Sequence, residues 1–309
     1  MHLNLAGKAA LVTGSSRGIG LAIAEALHSE GCRVALNSRN PEDLAKVAAR
    51  LPGAISVAGD VTESTDAQRV VVEVLKSFGK LDIVVCNVGS GQSVPPGEET
   101  PEEWQRVFGI NLWSATNTVA AARDALAHSK GAIVCISSIC GLEVIAGAPI
   151  TYSAAKAALH AYVRGMARPL GKQGVRINAI APGNILFESS VWSRKLSENR
   201  AAVQTMLERD VALSRLGTPQ DVASLVVYLA SARAGFASGG IWTLDGGQVR
   251  GRPPRQHIVG LQPSRNALHR LSAGHGRDEG GEKGRVHSPS YSSSSEGREG
   301  GWRSAGSAV

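Results

Sequence analysis

The sequence predicts an α/β fold, a single doubly wound domain built on a seven-stranded parallel sheet. Two observations predict it. Short apolar runs alternate along the chain with longer segments of helical period, and most of these runs are apolar throughout. Such runs are typical of parallel strands that are covered on both faces. Strands that alternate with helices in this way indicate a doubly wound sheet.

The elements are predicted in order from these runs and from the signals between them. The apolar runs that predict strands span residues 9–13, 33–38, 54–58, 83–86, 132–137, 176–181 and 241–244. Three helices are predicted to begin with a cap residue, a proline and then an acidic residue, a pattern that suits the positive end of a helix. These starts are Asn40-Pro41-Glu42-Asp43, Thr100-Pro101-Glu102-Glu103 and Thr218-Pro219-Gln220-Asp221.

Length and composition restrict the class of protein. The chain has 309 residues, 43% of them hydrophobic and 19% charged, which is enough for one sizeable core. The sequence has no run of eighteen apolar residues, so no membrane span is expected, and its start does not resemble a signal peptide. The four cysteines show no Cys-x-x-Cys spacing, which favours buried free thiols in a cytoplasmic protein and no metal site.

The last segment, residues 249–309, differs in composition from the predicted domain, residues 1–248. It is rich in Arg, Ser, Gly and Pro and lacks a sustained apolar period, so we predict a disordered extension. Five of the seven net positive charges lie in it, because it carries ten Lys or Arg and five Asp or Glu. The net positive charge of the chain therefore says little about the function of the domain. Nucleic-acid binding by the extension is the less favoured hypothesis.

A glycine-rich turn follows the first predicted strand and opens a helix. Its sequence is Thr13-Gly14-Ser15-Ser16-Arg17-Gly18-Ile19-Gly20. Glycines permit a tight turn and allow a pyrophosphate to approach the backbone amides at the start of the helix. The turn therefore indicates a dinucleotide site.

The end of the second strand predicts which dinucleotide binds. Sheets that bind NAD usually place an acidic residue there, on the ribose 2′-hydroxyl, but this chain has Ser38 and Arg39. Ser38 can hydrogen-bond a 2′-phosphate, Arg39 can pair with it, and Arg17 can add a second cation. NADP(H) is therefore preferred, with NAD as the alternative. The competing interpretation is that Arg39 is a solvated loop residue.

Tyr152 and Lys156 lie four residues apart, so a helix places the phenol and the ammonium on one face. The unperturbed pKa of tyrosine is about 10. A nearby cation favours the phenolate and lowers that pKa, as an acid/base residue working near neutral pH requires. Taken alone, a tyrosine and a lysine at this spacing on a helix are more often a surface contact.

Several motifs together resemble the short-chain dehydrogenase/reductase family, over residues 5–248. Besides the glycine turn and the Tyr152/Lys156 pair, they are Gly59-Asp60-Val61, Asn87-x-Gly89, Asn111, Ser138, Pro182-Gly183 and Asp245-Gly246-Gly247. Members similar to 3-oxoacyl-[acyl-carrier-protein] reductases resemble the chain most. The resemblance implies a Rossmann-type fold and an NAD(P)-dependent oxidoreductase that acts on CH–OH groups.

The resemblance also implies a role for each matching residue. Ser138 binds the substrate carbonyl, and Tyr152 donates or accepts the proton. Lys156 binds the nicotinamide ribose and lowers the pKa of Tyr152, and Asn111 holds a water of a proton relay. Asp60 and Val61 face the adenine. The implied cofactor-binding residues are Gly14, Ser16, Arg17, Gly18, Ile19, Gly20, Ser38, Arg39, Asp60, Val61, Asn87, Gly89, Tyr152, Lys156, Pro182, Gly183 and Ile185.

Three features depart from the family pattern. Val88 stands where the family usually has alanine, and Phe187 stands where a threonine often contacts the nicotinamide carboxamide. The spacing from Ser138 to Tyr152 is one residue longer than usual. The longer spacing leaves Ser137 as a reserve candidate for the serine role.

The leading functional hypothesis is NADPH-dependent reduction of a carbonyl to an alcohol, with a 3-oxoacyl thioester as one candidate substrate. The alternatives are NAD(P)-dependent oxidation of a secondary alcohol, cyclic or sugar-like, and a non-catalytic dinucleotide-binding protein. Specificity is expected to depend on residues 184–213 and 141–149. Four apolar residues of the first segment fit either a substrate wall or the interior of a mobile lid: Phe187, Val191, Trp192 and Met206. The resemblance further implies a homotetramer.

Overall fold

The structure is a computed structural model and describes residues 2–249. The predicted domain, residues 1–248, is described except for its first residue. The predicted extension, residues 249–309, lies outside the described residues apart from Val249.

Within residues 2–249, seven strands form one parallel sheet, which confirms the predicted fold class. They are β1 (Ala9–Thr13), β2 (Arg33–Ser38), β3 (Ile55–Ala58), β4 (Ile83–Cys86), β5 (Ala132–Ile136), β6 (Arg176–Pro182) and β7 (Ile241–Leu244). The strand order is β3-β2-β1-β4-β5-β6-β7, and every neighbouring pair is parallel. The order reverses direction between β1 and β4. At such a point the carboxyl ends of the strands leave a crevice in which ligands bind.

The predicted strand limits differ from the observed ones by at most one residue. β3 begins one residue later than predicted and β5 ends one residue earlier. β6 extends to Pro182, because this residue still lies in register with Leu244 on β7. The other four strands have the predicted limits.

Helices cover both faces of the sheet. Within the described residues the α-helices are α1 (Gly18–Ser29), α2 (Pro41–Ala48), α3 (Ser64–Phe78), α4 (Pro101–Phe108), α5 (Ser114–Ser129), α6 (Ile150–Gly171), α7 (Val191–Glu198), α8 (Arg200–Asp210) and α9 (Pro219–Ala230). A π-helical turn, Gly109–Trp113, joins α4 to α5. The three predicted helix starts are confirmed, since the side chains of Asn40, Thr100 and Thr218 each accept a hydrogen bond from a first-turn N–H.

The strand residues are buried on both faces, which explains their continuous apolar runs. In β1, Ala10 and Val12 pack into a cluster with residues of α1 and α9, whereas Ala9 and Leu11 pack with α3, α5 and α6. All four side chains are completely buried. Of the helices in residues 2–249, none has both the length and the apolar character that crossing a membrane requires.

Helices α7 and α8, here called the lid, form a hydrophobic cluster together with the chain that follows them. Its buried members are Val203, Leu207 and Val211, and the residues packed against them are Trp192, Leu196, Met206 and Leu216. Two backbone hydrogen bonds tie the flanking chain to the domain, from Leu186 N–H to Gly217 (2.8 Å) and from Leu213 N–H to Gly246 (3.0 Å). Trp192 and Met206 therefore pack inside the lid, as one of the two sequence interpretations proposed.

Candidate active site

The glycine turn after β1 has a backbone that glycine is needed to form. Gly14 and Gly18 have φ values of +62° and +58°, which side chains disfavour. A Cβ on Gly20 would collide with the carbonyl oxygen of Gly14. Arg17, the cap residue of α1, makes no side-chain capping hydrogen bond within the described residues. The first N–H groups of α1 are therefore open to an anion.

The two other predicted residues of this turn differ in their packing. Ser16 is half-buried. Ile19 is also half-buried and packs against the core cluster beneath α1. The isoleucine thus fixes the start of the helix to the sheet.

Asn87 ties the glycine turn to the end of β4. Its Nδ2 donates to the carbonyl oxygens of Thr13 (3.1 Å) and Gly14 (3.0 Å), and its backbone N–H donates to Oγ1 of Thr13 (3.0 Å). Val88 packs on the same turn, because its Cγ2 would lie 3.2 Å from a Cβ on Gly14. The larger residue at this position thus contacts the turn directly.

Phe187 lies against the start of α1. A Cβ on Gly18 would be 2.7 Å from Cε2 of the Phe187 ring. Ser190 fixes the backbone of Phe187 in a turn, since its Oγ accepts from the Phe187 N–H (3.3 Å) and its N–H donates to the Phe187 carbonyl (3.0 Å). An aromatic ring thus lies beside the glycine turn.

Ser38 and Arg39 lie at the carboxyl end of β2. The Arg39 guanidinium is 79% exposed and 3.7 Å from the carboxylate of Asp60. The hydroxyl of Ser38 donates to the carbonyl of Asn40 at 3.2 Å. A ribose phosphate at this position would meet a cation that already has a weak acidic partner.

The residues around β2 and β3 fit a dinucleotide. Asn37 is completely buried, and its Oδ1 has no hydrogen-bond partner among the described residues. Asp60 accepts from the N–H (3.0 Å) and the hydroxyl (2.8 Å) of Thr62, and Val61 is buried. The uncapped start of α1 and the buried Oδ1 of Asn37, which has no partner among the described residues, thus lie on one edge of the sheet.

β6 brings the next group of predicted residues to that edge. Pro182 ends the strand, and Gly183 donates its N–H to Leu244 at 3.0 Å. Ile185 is buried and forms an isolated bridge with Gly217. The chain between the sheet and the lid is therefore fixed at both sides.

Asn111 lies in the π-helical turn between α4 and α5, a rare geometry that is frequent at functional sites. Its Nδ2 donates to the carbonyls of Val107 and Ser90, and its Oδ1 accepts from the Ser90 N–H, all at 3.0 Å. A Cβ on Gly89 would lie 3.1 Å from this Oδ1 and 3.0 Å from Nζ of Lys156. Gly89 is therefore the point at which the amide and the ammonium come together.

Tyr152 and Lys156 lie on one face of α6, as predicted. Lys156 is 2% exposed, and its Nζ donates to the carbonyl of Ile136 at the end of β5 (3.1 Å). This Nζ lies 5.8 Å from the centroid of the Tyr152 ring. Burial lowers the pKa of Lys156 to about 8, because desolvation disfavours the charged form.

Burial raises the pKa of Tyr152 to about 12, although its hydrogen bond with Ser138 acts in the opposite direction. The sequence predicts a lowered pKa, so the direction found here is the reverse of the expected one. The reason is that desolvation of the phenolate outweighs the effect of neighbouring groups. Tyr152 is therefore protonated at neutral pH.

The structure separates the roles of the two serines that follow β5. Ser138 is buried and bonded to Tyr152, and its Oγ accepts from the N–H of Cys140 at 3.2 Å. The Oγ of Ser137 instead lies 2.7 Å from Nε2 of His160. Ser138 is thus the serine beside the phenol, and the reserve candidate is not.

Sequence reasoning missed His160 and the segment after Gly89. His160 is four residues beyond Lys156, so the helical spacing that pairs Tyr152 with Lys156 contained the signal. A Cβ on Gly91 would lie 4.0 Å from Cζ of Tyr152, and a contact of this kind leaves no sequence pattern.

A cavity opens beside this segment, and its wall is mainly polar. It is lined by Gln92 and, across from it, by the chain that begins α7: Ser189, Ser190, Val191, Ser193, Arg194 and Ser197. Of the four apolar residues considered from the sequence, Val191 lines this cavity. The wall therefore offers hydroxyl, amide and guanidinium groups.

Comparisons with known proteins identify what this chain is similar to. The family described as Enoyl-(Acyl carrier protein) reductase matches residues 14–248. "Granaticin polyketide synthase putative ketoacyl reductase 2" of Streptomyces violaceoruber is 39% identical over 77% of this chain and 94% of its own. Glucose 1-dehydrogenase 2 of Bacillus subtilis (strain 168) is 34% identical over 81% of this chain and 97% of its own.

One solved structure extends the comparison to the fold. The L-sorbose reductase of Gluconobacter frateurii, solved in complex with NADPH and L-sorbose, superposes with a TM-score of 0.76 at 31% identity. The match covers 80% of this chain and 98% of that one.

Proposed function

The chain belongs to the short-chain dehydrogenase/reductase family of oxidoreductases acting on CH–OH groups, and on that basis we propose that it is an NADPH-dependent carbonyl reductase. One observation carries the proposal. Lys156 and Asn111 come together at Gly89, Nζ of Lys156 lies 5.8 Å from the centroid of the Tyr152 ring, and Tyr152 is hydrogen-bonded to Ser138. A protein that only binds a dinucleotide has no need of all four.

Ser138 and Tyr152 act on the substrate oxygen. The hydroxyl of Ser138 donates a hydrogen bond to the carbonyl and stabilises the negative charge that develops on it. Tyr152 donates the proton, and its pKa of about 12 keeps the phenol protonated at neutral pH until the oxygen becomes basic. Bound NADPH supplies the hydride.

Lys156 and Asn111 support the proton donor. The pKa of Lys156, about 8, lets this side chain gain and lose a proton near neutral pH and so restore the proton of Tyr152. The glycine turn holds the pyrophosphate, and Lys156 holds the nicotinamide ribose. Asn111 forms two hydrogen bonds with Ser90 and one with Val107, and it is proposed to order the water that links Lys156 to solvent.

The preference for NADPH rests on the end of β2. Ser38 and Arg39 replace the acidic residue that an NAD site would place there, and the exposed Arg39 is free to turn from Asp60 to a 2′-phosphate. The complex of the similar L-sorbose reductase contains NADPH, which supports the preference. NAD is the alternative cofactor.

Two substrate classes are proposed, each with its own support. The similarity to a ketoacyl reductase favours a 3-oxoacyl thioester. The polar cavity wall favours a hydroxylated, sugar-like ketone or alcohol, and the similarities to a glucose dehydrogenase and a sorbose reductase support that class. Trp192 and Met206, which would suit an acyl chain, pack inside the lid.

The test measures oxidation of NADPH and NADH with 3-oxoacyl thioesters, ketoses and cyclic ketones, and reduction of NADP+ with the matching alcohols. We expect Tyr152→Phe to lower kcat by about 10²- to 10⁴-fold, because the proton donor is removed. Tyr162→Phe, a half-buried tyrosine on the same helix, is the control and should retain activity. An unchanged rate for Tyr152→Phe contradicts the mechanism, and a strong preference for NADH contradicts the cofactor assignment.

We further propose that the protein is a homotetramer. Large apolar side chains remain exposed on and near α9 and β7, in particular Tyr228, Phe236 and Trp242. Phe236 is fully exposed, and exposed apolar side chains that form a patch are typical of an interface. Sedimentation of a chain that ends near residue 250 should give a tetramer, and a monodisperse monomer contradicts this.

A further inference from the structure

His160 lies on the same face of α6 as Tyr152 and Lys156, one helical turn beyond the lysine. It is 2% exposed, and both of its ring nitrogens bond to the loop that carries Ser138. Nε2 lies 2.7 Å from Oγ of Ser137, and Nδ1 lies 3.1 Å from the carbonyl oxygen of Gly141. The two contacts therefore enclose Ser138, one on either side of it in the sequence.

These partners determine the tautomer of the ring. A carbonyl oxygen can only accept a hydrogen bond, so Nδ1 carries the proton and donates to Gly141. Nε2 then accepts from the hydroxyl of Ser137. With Nε2 as the acceptor, the ring is neutral. Burial, together with the cations of Arg164 and Lys156, lowers the pKa of His160 to about 4, so the ring is neutral at physiological pH.

The loop is also in direct contact with the backbone of α6. A Cβ on Gly141 would lie 2.7 Å from the carbonyl carbon of Lys156 and 2.8 Å from its oxygen. Ser137 and Gly141, which His160 contacts, are here called the two anchors. Between them, the Oγ of Ser138 accepts a hydrogen bond from the N–H of Cys140. His160 therefore links α6 to the loop on both sides of Ser138, at Ser137 and at Gly141, and Gly141 also contacts the helix backbone directly.

We propose that His160 is a positioning residue, which holds Ser138 in line with Tyr152 by anchoring the serine loop to the helix that carries the proton donor. This inference rests on the proposed function, since it assigns a supporting residue to the same site. His160 acts through Ser137 and Gly141. A displacement of about 1 Å in a reacting group is enough to lower a rate by about 100-fold.

The first test is a double-mutant cycle between His160→Leu and Ser138→Ala. We expect His160→Leu to lower kcat by about 10- to 100-fold with NADPH affinity, measured by fluorescence, unchanged. In the Ser138→Ala background the same change should have almost no further effect, because the group that it positions is already absent. An equal loss of kcat in both backgrounds would show a merely structural role and overturn the proposal.

Conservative variants separate the two anchors. His160→Asn keeps a donor near the position of Nδ1, and His160→Gln keeps an acceptor near the position of Nε2, so each should recover part of the lost kcat. Ser137→Ala should lower kcat in the same direction. Ser231→Ala is the matched control, since that hydroxyl is also buried and hydrogen-bonded, but its partner is the carbonyl of Tyr228 on α9 (2.7 Å) and not His160. Its kcat should not change.

Hydrogen exchange followed by mass spectrometry makes the test independent of activity. In His160→Leu, protection should fall in residues 137–142 and persist in the sheet. Unchanged protection of that segment would overturn the proposal whatever the rates are. If the wild-type protein reduces no carbonyl, the proposed function fails, and the exchange measurement still decides whether His160 anchors the loop.

Discussion

Buried charged side chains at the two edges of the sheet differ in the partners that surround them. At the amino edge, Asp82 is 5% exposed and is surrounded by donors: Lys8 Nζ and Ala9 N–H, both at 2.9 Å, and Lys80 Nζ at 3.1 Å. At the carboxyl edge, Lys156 is equally buried but donates to a backbone carbonyl, and no carboxylate pairs with it within residues 2–249. The charge of Asp82 is therefore compensated by its neighbours, whereas the charge of Lys156 is not.

The pKa values show what this difference means. Burial alone raises the pKa of Asp82, but the hydrogen bonds from Ala9, Lys8 and Lys80 more than reverse that effect, so its pKa is lowered. Lys156 lacks such compensation, and its pKa falls to about 8. A charge that the fold compensates contributes to stability, whereas an uncompensated charge in a crevice is typical of a residue that takes part in chemistry.

The largest expected effect is that of Lys156→Met, which should abolish most activity and yet stabilise the fold. The folded pKa is about 8 and the unfolded one 10.5, so the wild type loses stability as the pH falls from 10.5 to 8. At pH 7 the variant should be more stable by up to about 3 kcal/mol, and the gain should vanish as the pH rises to about 10.5. Urea denaturation between pH 7 and 10 measures the difference.

The exposed Lys172→Met serves as the control for this change, since a surface substitution should alter stability by less than about 0.5 kcal/mol. If Lys156→Met were less stable than the wild type at pH 7, the buried ammonium would be a compensated group, and the contrast between the two edges would disappear.

At the amino edge, Asp82→Asn should have the opposite outcome. We expect a loss of about 1–3 kcal/mol in the free energy of unfolding, because hydrogen bonds to a buried carboxylate are broken, while kcat per folded molecule is unchanged. The folded pKa of Asp82 is lowered, so its contribution is full above about pH 4 and is lost as the pH falls through the folded pKa. The difference between wild type and variant should therefore shrink in acid, and an equal loss at every pH would contradict the assignment.

The smallest effect on stability is expected for Arg39→Ala, which breaks an ion pair in water. Exposed pairs contribute less than about 1 kcal/mol, so the melting curve should hardly move. The KM for NADPH should rise by about 10-fold and the KM for NADH should not change, because only NADPH carries a charged partner for the guanidinium. Arg50→Ala, which breaks the exposed pair with Glu25, should affect neither KM, and equal shifts for both cofactors would argue against a phosphate contact.

Features that depend on neighbouring residues in the chain were predictable from the sequence. The caps at Asn40, Thr100 and Thr218 follow from a local pattern of cap, proline and acid, and the structure confirms all three. The strands follow from apolar runs that the two-sided core requires. Tyr152 and Lys156 share a face because one helical turn joins them.

Features that depend on packing between distant segments were not predictable. Phe187 meets Gly18 across 169 residues of chain, and no local pattern records that contact. The direction of the Tyr152 pKa was wrong, since spacing identifies the neighbouring cation but not the desolvation that outweighs it. The choice of Ser138 over Ser137 likewise depends on where His160 lies in the folded helix.

The separate hydrophobic cluster of the lid bears on how such a protein diversifies. Because the buried lid residues Val203 and Leu207 belong to a cluster separate from both cores of the sheet, substitutions on the cavity side of the lid leave those cores untouched. A lineage can therefore inherit the sheet, the glycine turn and the proton donor unchanged while the lid alone accumulates differences. Selection for a new substrate then acts on some twenty residues of the lid. Any loss of stability that their substitution causes is confined to the lid.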